Sequence, residues 1–219
     1  VGAIPEITAH FSAHKSITLH NFPVLSMIDR ARRAEIDVVR PAAIYAGGLM
    51  PIRGIREIIE AMDILQGEVE LLLLGRWLNE EFRNECVSLS GWRHTNYLGF
   101  VDVNDVYGYL KLAQIGLVTL YPQQNYLVSM PVKAFEYMAC SLPMVMSDFT
   151  YWRKLFDGAA IFVDPKDASA IAGAVDYLVS HPDMARQMGE RGRQMVEERY
   201  SWEAERSKLL TFYDKILGD

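Results

Sequence analysis

Cysteine is scarce: Cys86 and Cys140 are the only two in 219 residues and stand far apart, which argues against both a disulfide framework and a zinc site. A reducing, cytoplasmic location is therefore expected. Positive charge is also in short supply, with 22 Lys and Arg against 28 Asp and Glu, a net charge of -6. Such a chain repels a polyanion unless its cations are concentrated locally, so nucleic acid is not an expected partner. No apolar run approaches the ~20 residues that cross a bilayer. The opening VGAIPEITAHF lacks the charged and apolar regions of a signal peptide, so the chain reads as soluble. That opening also has no initiator methionine and reads as the end of a helix, which predicts a piece of a longer protein. The histidines form no ligand cluster: His10 and His14 lack the intervening motif of a zinc protease, and His20, His94 and His181 do not join them. All five read as structural or surface, and neither a metal nor a bound cofactor is expected.

What is present is apolar. Half of the residues are hydrophobic, enough to bury the core of one domain and to exclude a disordered or fibrous chain. From residue 41 to about residue 180, short apolar runs alternate with amphipathic stretches, the pattern of a parallel sheet covered by helices on both faces. The expected strands are AAIYAG (42–47), VELLLLG (69–75), NYLG (96–99), IGLVTL (115–120), PMVMSD (143–148) and AIFVD (160–164). Between the first two, Ile55, Ile58, Ile59, Met62 and Leu65 form one helical stripe, with Glu57 and Glu60 off it. Asp167 is placed to cap a helix carrying Ile171, Val175 and Leu178 on one side. Beyond His181-Pro182 two further helices are expected, over 183–199 and from Ser201, as a helical tail spanning 181–219. Residues 1–40, with one expected strand at ITLH (17–20), a turn at Asn21-Phe22-Pro23 and a polar stretch over 29–33, read as a linker. The Met and Tyr residues belong mostly to core and rim.

In open parallel sheets ligands bind beyond the carboxyl ends of the strands, and three places there stand out. The first is Gly47-Gly48-Leu49-Met50-Pro51-Ile52-Arg53-Gly54, where glycines admit a ligand to the backbone and Arg53 offers a phosphate partner. The alternative is a tight turn with a solvated arginine. The stretch is neither the dinucleotide fingerprint nor a Walker loop. The second is Ser129-Met130-Pro131-Val132-Lys133-Ala134-Phe135-Glu136, with Pro131 at a helix start. Lys133 near the positive end of a helix, and ahead of Glu136, is electrostatically awkward unless an anion is bound there. Glu136, one turn on, can accept two vicinal ribose hydroxyls. The alternative is an exposed Lys–Glu pair of little consequence. The third is Leu98-Gly99-Phe100-Val101-Asp102, where main-chain groups can read a base edge or, more simply, Asp102 or Asn104 caps a helix.

Taken in order, these blocks resemble the C-terminal, donor-binding domain of the retaining GT-B glycosyltransferases of family 4. The resemblance runs through ITLHNFP, YAGGLMPIRGIREIIEAM, LLLLGRW, NYLGFVDVNDVYGYLKLAQIGLVTL, SMPVKAFEYMACSLPMVMSD and AIFVDPKDASAIAGAVDYLV to the closing YSWEAERSKLLTFYDKIL. It implies a Rossmann-like domain over 41–180, an interdomain segment over 1–40, and a tail that packs back toward an N-terminal acceptor domain absent from this sequence. It further implies that Glu136 is the second acid of a two-glutamate motif and contacts the ribose, and that Lys133 and Arg53 contact the diphosphate. Gly47 and Gly48 would line the sugar-phosphate approach, Arg76 would border the cleft, Phe100 with Val101 would flank the base, and Ser129, Met130, Pro131 and Val132 would complete the donor site. Two positions depart from the pattern: Val128 replaces the first glutamate, and Gly48 the usual arginine. Other members with a Pro-x-Lys-x-x-Glu block share this pattern.

The resemblance thus implies a nucleoside diphosphate sugar as the ligand, transfer of the glycosyl group with retention in polysaccharide or glycoconjugate synthesis, and no required metal. This half alone is expected to be inactive, and membrane association is plausible only for the full-length enzyme, peripherally at the inner membrane face. Two alternatives stand beside it, a sugar-nucleotide-binding module without transferase activity and a GT-B sugar-nucleotide epimerase. The epimerase would need carboxylates and a histidine aimed at the sugar, which the sequence does not offer.

Overall fold

The computed structural model describes residues 16–217. All six expected strands of the α/β domain form: β1 (Ala42–Ala46), β2 (Glu70–Leu74), β3 (Thr95–Gly99), β4 (Ile115–Val118), β5 (Met144–Ser147) and β6 (Ala160–Val163). They pair in parallel in the order β3-β2-β1-β4-β5-β6. The order reverses between β1 and β4, which makes the sheet doubly wound and opens a crevice at the carboxyl ends of those strands. Strands β4 and β5 are buried throughout because helices cover both faces, whereas β3, at the edge, is half-buried at every position.

The helices are α1 (Leu25–Arg30), α2 (Ile55–Ile64), α3 (Glu80–Val87), α4 (Val103–Leu112), α5 (Gln124–Leu127), α6 (Val132–Ala139), α7 (Thr150–Leu155), α8 (Ala168–Ser180), α9 (Pro182–Arg199) and α10 (Trp202–Leu217). Side-chain alternation along the strands divides the core into two layers. Ala42 and Ile44 of β1 face a layer built from α1, α4, α6, α7 and α9, represented by Ile28, Leu110, Phe135, Trp152 and Val196. Ala43 and Tyr45 face a layer built from α2, α3 and α8, represented by Ile58, Cys86 and Val175. The expected stripe of α2 is buried along its whole length. Asp167 caps α8, accepting from the N–H groups of Ser169 and Ala170 at 2.9 and 3.0 Å.

Several expectations give way. ITLH is not a strand of the sheet: only Thr18 holds an isolated bridge. The polar stretch over 29–33 begins inside α1, whose Ile28 is fully buried, so a helix stands where a linker was expected. Asp102 stands at the N-cap of α4 without a side-chain capping bond, and Pro131 is the N-cap residue of α6, not its first helical residue. His10 and His14 lie outside the described residues. The tail is tied to the segment before the sheet: Trp202 N–H donates to the Pro23 carbonyl at 2.9 Å, and the fully buried Glu205 accepts from His20 N–H at 3.1 Å and Lys208 Nζ at 2.6 Å.

Candidate functional site

The loops leaving β1 and β2 meet at the strand switch point. Gly47 N–H donates to the Leu74 carbonyl at 3.0 Å and Leu49 N–H to the Arg76 carbonyl at 2.9 Å, so the two loops continue the sheet pairing. Gly75, at φ +143°, passes so close beneath Gly47 that a Cβ on it would lie 1.8 Å from the Gly47 carbonyl oxygen. No side chain fits there, and the sharp turn of both loops outward opens a cleft of about 380 Å³. Gly47, Gly48, Arg76, Phe100, Val101 and Glu136 all line it, with Leu78, Val103 and Val106 adding apolar wall. A second hollow, of about 480 Å³, opens at the amino ends of the strands between Arg40, Glu70 and His94. That is the wrong end of the sheet for a switch-point ligand.

Helix α6 is set against this cleft by one residue. Tyr137 lies across β4, where a Cβ on Gly116 would come within 2.3 Å of its ring, and its hydroxyl accepts the Ala46 N–H at the end of β1 at 3.0 Å. One turn earlier, this places the ammonium of Lys133 under Gly47, 2.8 Å from where a Cβ on that residue would sit and 3.6 Å from the centre of the Tyr45 ring. Its Nζ is buried and has no hydrogen-bond partner among the described residues. Burial lowers the Lys133 pKa well below its ordinary value, the neighbouring charge of Arg53 lowers it further, and Glu136 opposes both. Burial likewise raises the Glu136 carboxyl, against the pull of Lys133 and of a hydrogen bond from the Tyr107 hydroxyl. An exposed, inconsequential Lys–Glu pair is therefore not what the sequence encodes.

Arg53 sits in the turn Pro51–Arg53 after β1, its carbonyl accepting from Thr119 Oγ1 at 3.2 Å. It does not line the cleft wall. Its guanidinium reaches the Tyr45 hydroxyl, which in turn donates to the Gly48 carbonyl at 3.1 Å. Arg53 Nε is buried and has no hydrogen-bond partner among the described residues. Tyr45 thus has a lysine on its ring and an arginine at its hydroxyl, and burial drives its own pKa upward. Arg53 and the burial of Lys133 both disfavour the charged lysine, with Glu136 opposing them, and an anion bound at this end of the cleft would favour it.

Ser129, Met130 and Pro131 form the turn into α6 and Val132 is its first residue; these four, like Lys133 beneath Gly47, are not among the residues that line the cleft wall. Ser129 is committed locally, its Oγ donating to the Tyr126 carbonyl at 3.1 Å and its carbonyl accepting from Trp152 Nε1 at 2.8 Å. Val128 is 72 % exposed. Tyr45, Tyr107 and Tyr137 were not singled out from the sequence. Their common signal is an aromatic ring with a polar tip in an otherwise apolar stretch, a residue type that, when buried, usually places its hydroxyl against a partner.

The fold and the crevice define a doubly wound α/β domain with a cationic cleft at its switch point. Residues 29–195 match the family Glycosyl transferases group 1, and the chain belongs to that family. It is 24% identical over 191 residues to alpha-maltose-1-phosphate synthase of Mycobacterium tuberculosis, covering 83% of this chain and 49% of the relative. The chain therefore spans about half the length of the curated relatives it matches. In structure it resembles sucrose-phosphate synthase from Thermosynechococcus elongatus, with a TM-score of 0.76 at 20% identity over 97% of this chain and 56% of the other. It also resembles Anabaena HepE in complex with UDP, with a TM-score of 0.75 at 14% identity over 95% of this chain and 60% of the other. These likenesses establish a Rossmann-like domain of the GT-B type. Among the described residues no helix is long and apolar enough to cross a membrane.

Proposed function

We propose that the cleft at the switch point seats a nucleoside diphosphate sugar, and that the chain is the donor-binding, C-terminal half of a retaining family 4 glycosyltransferase. The diphosphate lies over Gly47 and Gly48, drawn by Lys133 and Arg53. Glu136 accepts the ribose hydroxyls, and Phe100 with Val101 flanks the base. In the full-length enzyme an N-terminal domain supplies the acceptor, and transfer builds a polysaccharide or glycoconjugate. Lys133 and Arg53 neutralise charge growing on the departing diphosphate, so that the scheme requires no divalent ion. The observation that carries this reading is the Lys133 Nζ, buried beneath a glycine of the cleft wall without a hydrogen-bond partner among the described residues.

Calorimetric titration of Lys133→Ala tests it. The substitution should weaken nucleoside diphosphate binding by about 1.5–3 kcal/mol, the usual worth of a charged hydrogen bond, and affect the free nucleoside far less. Equal losses for both ligands would refute the assignment of Lys133 to the diphosphate.

A further inference from the structure

We propose that Arg76 reads the base of the bound nucleotide and selects a base carrying a carbonyl, not an amino group, on the edge that faces it. The inference rests on the reading of the cleft as a nucleoside diphosphate seat. Lys133 and Glu136 mark the phosphate and ribose end, which leaves the base to the far rim. That rim presents three apolar side chains to solvent: Leu78 at 64 %, Phe100 at 58 % and Val103 at 54 % exposure. A flat aromatic ring laid across them removes this surface from water.

Arg76 follows Gly75 directly and is the cation of this rim. Its guanidinium lies 4.0 Å from the centre of the Phe100 ring and has no side-chain hydrogen bond or ion pair with any described residue. Stacking on an aromatic face orients a guanidinium while leaving its in-plane N–H donors free. A guanidinium offers donors only. It is therefore matched by the carbonyl of uracil, thymine or guanine and opposed by the amino group that cytosine or adenine carries at the equivalent ring position. The acidic residue of the cleft wall, Glu136, stands at the ribose end and does not offer the opposite preference.

Titrating the chain with uridine, cytidine, guanosine and adenosine diphosphates tests the proposal. Within whichever ring size binds, the carbonyl base should bind at least ~5-fold more tightly than its amino counterpart, the lower bound for a good guanidinium–base pair. Arg76→Ala should erase that ratio by weakening the carbonyl partner alone, and Arg76→Lys, which keeps the charge but not the fork, should also lose most of it. Equal affinity for carbonyl and amino bases in the unaltered chain, or a uniform loss for all four ligands in Arg76→Ala, overturns the proposal; the second result would make Arg76 a phosphate contact. If all four bind equally and Lys133→Ala still weakens them, the base assignment alone fails. If none binds, the reading of the cleft fails with it.

Discussion

Lys133 is the residue on which the site turns. Its Nζ is buried under Gly47 with no hydrogen-bond partner among the described residues, and burial lowers its pKa. A bound diphosphate favours the protonated form, so binding should draw a proton onto the lysine. Affinity should then fall as pH rises through the lowered value toward the ordinary 10.5. Titrations in buffers of different ionisation enthalpy measure that uptake; none near the lowered pKa would mean that the ligand does not sense Lys133. The sign for stability is the opposite. Below the lowered pKa both folded and unfolded chains carry the charge, and the folded state bears the full burial penalty, which fades as pH rises toward 10.5. Lys133→Met relieves that penalty at the cost of the contact with Glu136, so chemical-denaturation stability should change little while nucleoside diphosphate affinity collapses. A clearly destabilised variant would instead mark the lysine as part of the scaffold. Glu136 admits a separate test: Glu136→Gln should reduce the preference for a ribonucleotide over its 2′-deoxy form, and an unchanged preference counts against its contact with the ribose.

Among the elements, α6 joins sheet to site. The Tyr137 hydroxyl accepts the Ala46 N–H, the last donor of β1 before the glycine pair. Tyr137→Phe leaves that part-buried donor unpaired and should cost about 1–3 kcal/mol of stability, with a parallel loss of ligand affinity because Lys133 rides on the same helix. Wild-type denaturation and binding curves for this variant would show that α6 is held by packing alone. Strands and crossover helices were legible because burial on both faces writes continuous apolar runs, and burial on one side writes a stripe, as with Ile55, Ile58, Ile59 and Met62. Helix α3 was not, since it buries only Phe82 and Cys86, too few positions to declare a period. Helix α1 hid in a polar stretch because its single anchor, Ile28, is flanked by exposed residues. The ITLH motif has the composition of a strand, yet it does not pair with the six-stranded sheet.

Over the whole molecule, the chain closes by tying α10 to the segment ahead of the sheet. Glu203 accepts from Leu25 and Ser26 N–H at the start of α1 at 3.3 and 3.4 Å, and Glu205 is buried against His20 and Lys208. Burial alone would raise the Glu205 carboxyl, but the hydrogen bonds from Lys208 and from His20 N–H outweigh it and hold the pKa below the ordinary 4.5. A carboxyl so lowered adds stability that is present above 4.5 and is lost as pH falls through its folded value. Glu205→Gln should cost about 1–3 kcal/mol at neutral pH and flatten the acid limb of the stability profile. An unaltered acid limb would place the pH sensitivity elsewhere.

The sequence by itself determined the layered α/β architecture, the strand-end loops and the three segments that meet at the cleft, because hydrophobic period and the glycines and prolines at element ends are local properties. It also marked Lys133 and Glu136, whose order on a helix start is awkward on electrostatic grounds alone. Only the tertiary structure decided that Tyr45 lies between Lys133 and Arg53, that Tyr137 fixes α6 to β1, and that Arg76 stacks on Phe100. Each of these is a meeting of residues far apart in the chain. Such a meeting is set by which strands pair and in what register, and by how far a side chain reaches across the sheet, so no window of neighbouring residues contains it.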